Sequence, residues 1–192
     1  MKEMSTKEKL LRAMYESLAK QGYDKTSIGQ LADAIGIKKA SVYYYFRFKE
    51  EILVELVKNL YVHDNVEQSL HKIETQNEFR EYLLNEGYSL VDAFETNVTA
   101  RKVFAEIDIQ TNRIPALREY VDSYILAEKE KWRSIIEYGK SIDAVPQETN
   151  SLSFADYLFI VQTGIDDALL YHYQIDCKEV WAMAIMKVLG GE

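Results

Sequence analysis

Turn-forming residues are scarce in this sequence. Its 192 residues include 8 glycines and 2 prolines, roughly 5% of the chain against a usual combined share of about 12%. An all-β fold, which needs a turn every few residues, is disfavoured. Cysteine is nearly absent. Cys177 stands alone, so no internal disulfide forms, and no Cys or His lies near it at metal-ligand spacing; it reads as a buried structural thiol. No run approaches the roughly 18 apolar residues of a spanning helix, and the first eight residues lack the apolar stretch of a signal peptide. A cytoplasmic chain with no membrane partner is expected. There is no phosphate-cradling glycine loop, and serine, histidine and acidic residues are too dispersed for a catalytic triad. No enzymatic activity, cofactor or metal is expected.

What the sequence does hold is ordinary globular material, 47% hydrophobic and 28% charged, enough to fill a core. A length of 192 residues fits one domain, or a small domain fused to a larger one. The net charge of −8 argues against an acidic partner such as DNA, but its distribution argues otherwise. Residues 1–50 carry ten basic and six acidic side chains, leaving 13 basic and 25 acidic for the rest. Such asymmetry suggests one end that faces a polyanion and an acidic body with another task.

Apolar spacing is helical throughout. Leu10, Leu11, Met14, Leu18 and Tyr23 recur every three to five residues, predicting a helix over about 5–21. Ser5 with Glu8 forms a capping-box pattern at its start, and Gly22 suits its end. Thr26 and Ser27 precede a short amphipathic stretch with Ile28, Leu31, Ala32 and Ile35, which Gly36 closes. A second short stretch, Ala40 to Phe46, begins within about four residues. Two short helices joined by a glycine-containing turn outline a helix-turn-helix. A fourth helix begins at Lys49 and is expected to run past His71. Others are expected over 77–95, from a cap at Thr99, from Pro115 in a first turn to near Gly139, over 154–173 and over 178–189. No strand alternation, repeat or low-complexity tract interrupts them. The prediction is nine helices, all-α: three in an N-terminal helix-turn-helix domain, residues 1–48, and six in a helical domain, residues 49–192.

Residues 26–53 carry a more specific pattern. The hydroxyl pair Thr26-Ser27, then Leu31-Ala32, Gly36, the basic Lys39, the aromatic cluster Tyr43-Tyr44-Tyr45-Phe46 and the Lys49-Glu50 entry to the fourth helix follow at fixed spacing. Together with the preceding helix, this resembles the DNA-binding signature of the TetR/AcrR family of bacterial transcriptional regulators, over about a quarter of the chain. The resemblance implies a homodimer that binds double-stranded DNA and is released from a palindromic operator by a small-molecule effector. The second helix of a helix-turn-helix lies in the major groove, and phosphate contacts fix its register. Carried onto this sequence, the DNA-contacting set is Thr26, Ser27, Lys38, Lys39, Ala40, Ser41, Tyr43, Tyr44 and Lys49. Thr26 and Ser27 offer hydroxyls and helix-start amides to phosphate, Lys39 reaches phosphate or guanine, and Lys49 clamps a phosphate. Val42 and Phe46 read as core.

Two positions depart from the family pattern. Lys38 replaces a small hydroxyl cap, so the recognition helix loses a side-chain cap worth roughly 1 kcal/mol. Phe48 replaces a small polar residue, so the fourth helix is expected to be packed rather than capped at its entry.

In the body, acidic residues interrupt apolar stripes. Asp64 follows Leu60 and Tyr61, Glu86 follows Leu83, and Glu128 lies between Tyr124 and Trp132. Carboxylates beside aromatic rings hold flat organic cations, which makes Tyr61, Asp64, Glu86, Tyr124, Glu128 and Trp132 the candidate effector-binding set and an organic cation the candidate effector. The alternative is that each carboxylate is a boundary residue paired with Lys or Arg. His63, Glu67 and His71, spaced by four, drift around a helix axis and lack a fourth ligand, so they read as solvated. The last two helices are apolar on more than one face and need a partner beyond their own bundle. Tyr157, Val161, Ile165, Leu169, Trp181 and Ile185 are the candidate dimer residues, where the resembled family pairs four helices. Two-fold pairing requires a palindromic operator. The competing reading is a helical small-molecule-binding protein that keeps the helix-turn-helix as packing only.

Overall fold

The computed structural model describes residues 4–62 and 66–191, and of Glu67 only the backbone. Among these residues there are ten helices and no strand: α1 (Thr6–Gln21), α2 (Ile28–Ala34), α3 (Lys39–Val42), α4 (Lys49–Leu60), α5 (Val66–Leu70), α6 (Gln76–Thr96), α7 (Val98–Thr111), α8 (Pro115–Ser141), α9 (Ser151–Leu170) and α10 (Cys177–Val188). The all-α reading holds, with one helix more than expected. The expected long fourth helix stops at Leu60, where Tyr61 takes φ −92° and ψ 74°, and the separate α5 follows. Thr99 is not a cap, because α7 already begins at Val98. Asn150 caps α9 by accepting from the Ser153 amide, which starts that helix three residues earlier than its apolar stripe suggests. His63 and the candidate effector residue Asp64 lie outside the described residues.

The chain forms two compact units that do not follow chain order. The first comprises residues 1–62 and 98–124, the second residues 63–97 and 125–192. Packing therefore groups the helices differently from the expected division at residues 48 and 49. In the first unit α1 lies between α4 and α7, and α2 packs on α3 and α1. Their apolar stripes meet in one core that includes Leu10, Met14, Leu31, Val42, Ile52, Val57, Val103 and Leu117.

The second unit packs α6 against α9 and α10. Phe79, Leu83, Trp132, Ile136, Leu158, Trp181 and Ile185 form its core. Trp181 is held by its ring N–H, which donates to the Leu83 carbonyl at 2.8 Å. The indole lies so close to α6 that a Cβ on Gly87 would stand 2.4 Å from it, so only glycine admits the ring at that point. Cys177 is buried, as expected of a structural thiol.

Asp166 on α9 is pushed up to about 7, first by burial and second by the neighbouring Asp167. Its Oδ1 is buried with no hydrogen-bond partner among the described residues. A raised carboxyl pKa means that, between the ordinary value of 3.8 and about 7, the folded chain keeps a proton the unfolded chain has released. Stability is then present in full below that window and falls as pH rises through it. Asp166→Asn is expected to raise the melting temperature at about pH 8 and leave it nearly unchanged at about pH 4. Thermal melts of both proteins at the two pH values check this.

Candidate nucleic-acid interface

The interface is assembled in the first unit. Ser27 caps α2: its Oγ accepts from the Gln30 amide at 3.3 Å, and Gln30 Oε1 accepts from the Ser27 amide at 2.8 Å. This reciprocal pair satisfies two donors at the helix start and leaves Ser27 exposed. Thr26 is different. It is buried, its hydroxyl donates to the Gly22 carbonyl at 2.8 Å and lies 2.7 Å from Ser17 Oγ, and its amide donates to the Tyr23 carbonyl. Its expected hydroxyl contact with phosphate gives way to a role inside the molecule, because both polar groups are already engaged.

Helix α2 ends in a compact glycine turn. The Gly36 amide donates to the Asp33 carbonyl and the Ile37 amide to the Ala32 carbonyl. That double bond requires a left-handed residue, and Gly36 has φ 73°. The turn swings the chain directly into α3. Lys38 precedes α3 and provides no side-chain cap, as a lysine there predicts. Val42 and Phe46 anchor the segment in the core, being 0% and 5% exposed. Lys38, Lys39, Ala40 and Ser41 are all exposed. Tyr43 is half exposed, and Tyr44 is 92% exposed, more than packing explains. Six of the nine predicted DNA-contacting residues thus fall on one stretch of solvent-facing chain.

Phe48 departs from expectation in a second way, since it neither caps α4 nor packs and is 62% exposed. The α4 entry is secured instead by Glu51, whose Oε2 accepts from the Arg47 amide at 2.7 Å, and by Lys49. The Lys49 ammonium donates to the carbonyls of Tyr23 (2.8 Å) and Thr26 (2.9 Å) and stands 3.8 Å from the centre of the Tyr23 ring. Burial lowers its pKa, while Asp24, Glu50 and Glu106 act in the opposite direction. Two donors spent on carbonyls place Lys49 as a brace between α4 and the α1–α2 loop, in place of the expected phosphate clamp. Sequence reasoning missed two partners of this brace. The Tyr23 amide donates to Glu106 Oε1 at 3.0 Å, and Gln110 Nε2 donates to the same oxygen at 2.9 Å. Glu106 lies 83 residues from Tyr23, and its only local signal is Gln110 one turn later on the same face.

Residues 10–56 match the family model of bacterial regulatory proteins, tetR family. Over that stretch the chain is similar to the DNA-binding region of the TetR family. The probable HTH-type transcriptional regulator YttP of Bacillus subtilis is 27% identical over 142 residues, 72% of this chain and 66% of that protein. The chain spans 66% or less of the curated relatives it matches. A TetR transcription regulator from Haloarcula marismortui aligns with a TM-score of 0.71 and 19% identity over 95% of this chain and 93% of the other. A transcriptional regulator from Saccharomonospora viridis in complex with choline aligns at 0.72 and 18%, over 94% and 93%. At such identities the structural likeness carries the fold alone.

The candidate effector residues divide between the two units. In the first unit the Tyr61 and Tyr124 rings meet edge to face at 4.7 Å, and Phe104 adds a second edge contact to Tyr61 at 5.8 Å. Trp132 belongs to the second unit's core, 2% exposed, with its ring N–H on Gln162. Glu128 is buried. Glu86 is paired with Lys131 at 3.3 Å, the boundary alternative for that residue. Glu86 and Trp132 share the wall of a cavity of about 30 Å³, room for about one water. Tyr61 and Tyr124 thus belong to the first unit and Glu86, Glu128 and Trp132 to the second.

The candidate dimer residues also divide. Ile165, Leu169, Trp181 and Ile185 are buried in their own core, Val161 is half buried, and only Tyr157 is exposed. The strongest apolar stripe on each helix packs inward, and a second stripe remains outside: Leu152 and Ile160 on α9, with Val180, Met183 and Met186 on α10, each 37–68% exposed. Among the described residues no helix is long and apolar enough to cross a membrane.

Proposed function

We propose that this protein is a ligand-responsive, dimeric repressor that binds a palindromic operator with the α3 edge of each protomer. The observation that carries this reading is the exposure of Lys38, Lys39, Ser41 and the nearly free Tyr44 on a helix-turn-helix that matches the TetR family model. Exposed lysines supply salt-dependent affinity for phosphate, and the α3 side chains select bases. The second stripe of α9 and α10, with Ile160 and Met183 at its centre, is the proposed dimer face. A small-molecule effector bound in the helical body shifts the dimer toward a state whose recognition helices no longer match the groove spacing. The charge division supports this arrangement. The first unit has fifteen basic and twelve acidic side chains, the second eight and nineteen. Selection of the purified protein against a random duplex pool tests the reading. It predicts an enriched inverted repeat with half-sites about one helical turn apart; no enrichment by folded protein at low salt contradicts it.

A further inference from the structure

The second unit is strongly acidic, yet the cleft beside its core is not. A cleft of about 280 Å³ is walled by Lys72, Lys131, Tyr82, Glu86 and Val66 among others. Among the described residues its wall carries three charges, and two of them are ammonium groups. Lys131 is the more enclosed, with 16% of its side chain exposed, held between the Glu86 carboxylate at 3.3 Å and the Trp132 ring, whose centre is 5.7 Å away. Lys72 has no ion pair among the described residues. Glu86 and Lys131 also line the 30 Å³ cavity against Trp132 and Trp181, so this single ion pair stands between the open cleft and the aromatic interior.

We infer that this cleft takes an organic anion, a small carboxylate with an apolar body. This rests on the effector-binding reading above and gives the effector its chemical class. The carboxylate sits between Lys72 and Lys131, and the apolar body lies against Val66 and Tyr82. The Glu86 side chain is 31% exposed, so on binding it turns out to water, and Lys131 exchanges one carboxylate partner for another. Exchange keeps the enclosed ammonium paired throughout, which avoids the cost of a buried unpaired charge. An organic cation, by contrast, would meet two like charges and would have to break the Glu86–Lys131 pair without replacing it.

Three probes of one shape and different charge decide the matter: 4-phenylbutyrate, 4-phenylbutylamine and 4-phenylbutan-1-ol. At about 0.3 kcal/mol per heavy atom such probes bind in the millimolar range, so titrations run to about 10 mM. Binding is read by calorimetry and by tryptophan fluorescence, because both tryptophans line the inner cavity. The expected result is at least about tenfold tighter binding of the butyrate than of the other two, and a loss of about tenfold in Lys72→Met and in Lys131→Met, each step being about 1.4 kcal/mol. Glu86→Gln removes the competing carboxylate and is expected to tighten butyrate binding. A site for cations would show the opposite, with the amine preferred and weakened by Glu86→Gln. Amine preference, equal binding of the three probes, or no binding at all overturns the inference. Operator affinity of the ligand-free protein is measured in parallel. Intact operator binding without anion preference fails this inference alone. Anion preference in a protein that selects no operator fails the repressor reading and leaves the cleft standing.

Discussion

Tyr44→Ala is expected to lower affinity for the selected operator by about 5- to 150-fold, the 1–3 kcal/mol span of a well-placed contact in the groove, and to leave folding untouched. A side chain that is 92% exposed, whose nearest ring partner is Tyr45 at 6.5 Å, contributes little to the core. Its removal therefore acts on the complex alone. Lys39→Ala separates the two kinds of contact. If Lys39 meets phosphate, affinity falls to a similar degree on every sequence, and the slope of log affinity against log salt decreases by about 1. If it reads a guanine, the loss concentrates on the selected operator, and discrimination at one base pair relaxes. Phe46→Ala is the control for the opposite case. At 5% exposure it lies in the core, and its loss lowers the melting temperature before it touches binding.

Lys49→Met is expected to destabilise the first unit by about 2–4 kcal/mol, because two half-buried carbonyls lose their donor at once. It is also expected to weaken operator binding without removing a DNA contact. The methionine keeps the apolar stem against the Tyr23 ring, so the change reports on the ammonium. What the ammonium holds is the junction of three elements: the α1–α2 loop through the Tyr23 and Thr26 carbonyls, the first turn of α4, and α7 through Glu106, which grips the Tyr23 amide. Glu106→Gln preserves the acceptor oxygen and removes the charge, so it is expected to cost less than Glu106→Ala. Chemical denaturation and operator titration of the three variants measure both effects. Full operator affinity in a destabilised Lys49→Met protein would mean that the brace is irrelevant to the docking surface.

Local chemistry made most of the fold legible in the sequence. The Ser5–Glu8 capping box, the Gly36 turn and Pro115 at the start of α8 each depend on a few consecutive residues, and each stands where the residues point. The misreadings concern partners distant in sequence. A hydroxyl beside a helix start reads as exposed until Ser17 and Gly22 are seen to close over Thr26. A lysine at a helix entry reads as a phosphate clamp until two carbonyls are found beneath it. The strongest apolar stripes of α9 and α10, where the sequence points for a dimer face, are spent on their own core, whereas the weaker stripe through Ile160 and Met183 stays outside. Glu86 has apolar neighbours along the chain, but its charged partner, Lys131, comes from another helix.

In the proposed complex two recognition edges engage one palindrome together. The most direct test is a titration of the selected operator beside a duplex in which one half-site is scrambled, repeated across a salt series. The intact palindrome is expected to bind one dimer at least about a hundredfold more tightly than the half-site duplex, as simultaneous engagement of linked sites requires. Affinity is also expected to fall steeply with salt. Equal affinity for the two duplexes, or binding by monomers at independent half-sites, would contradict joint engagement.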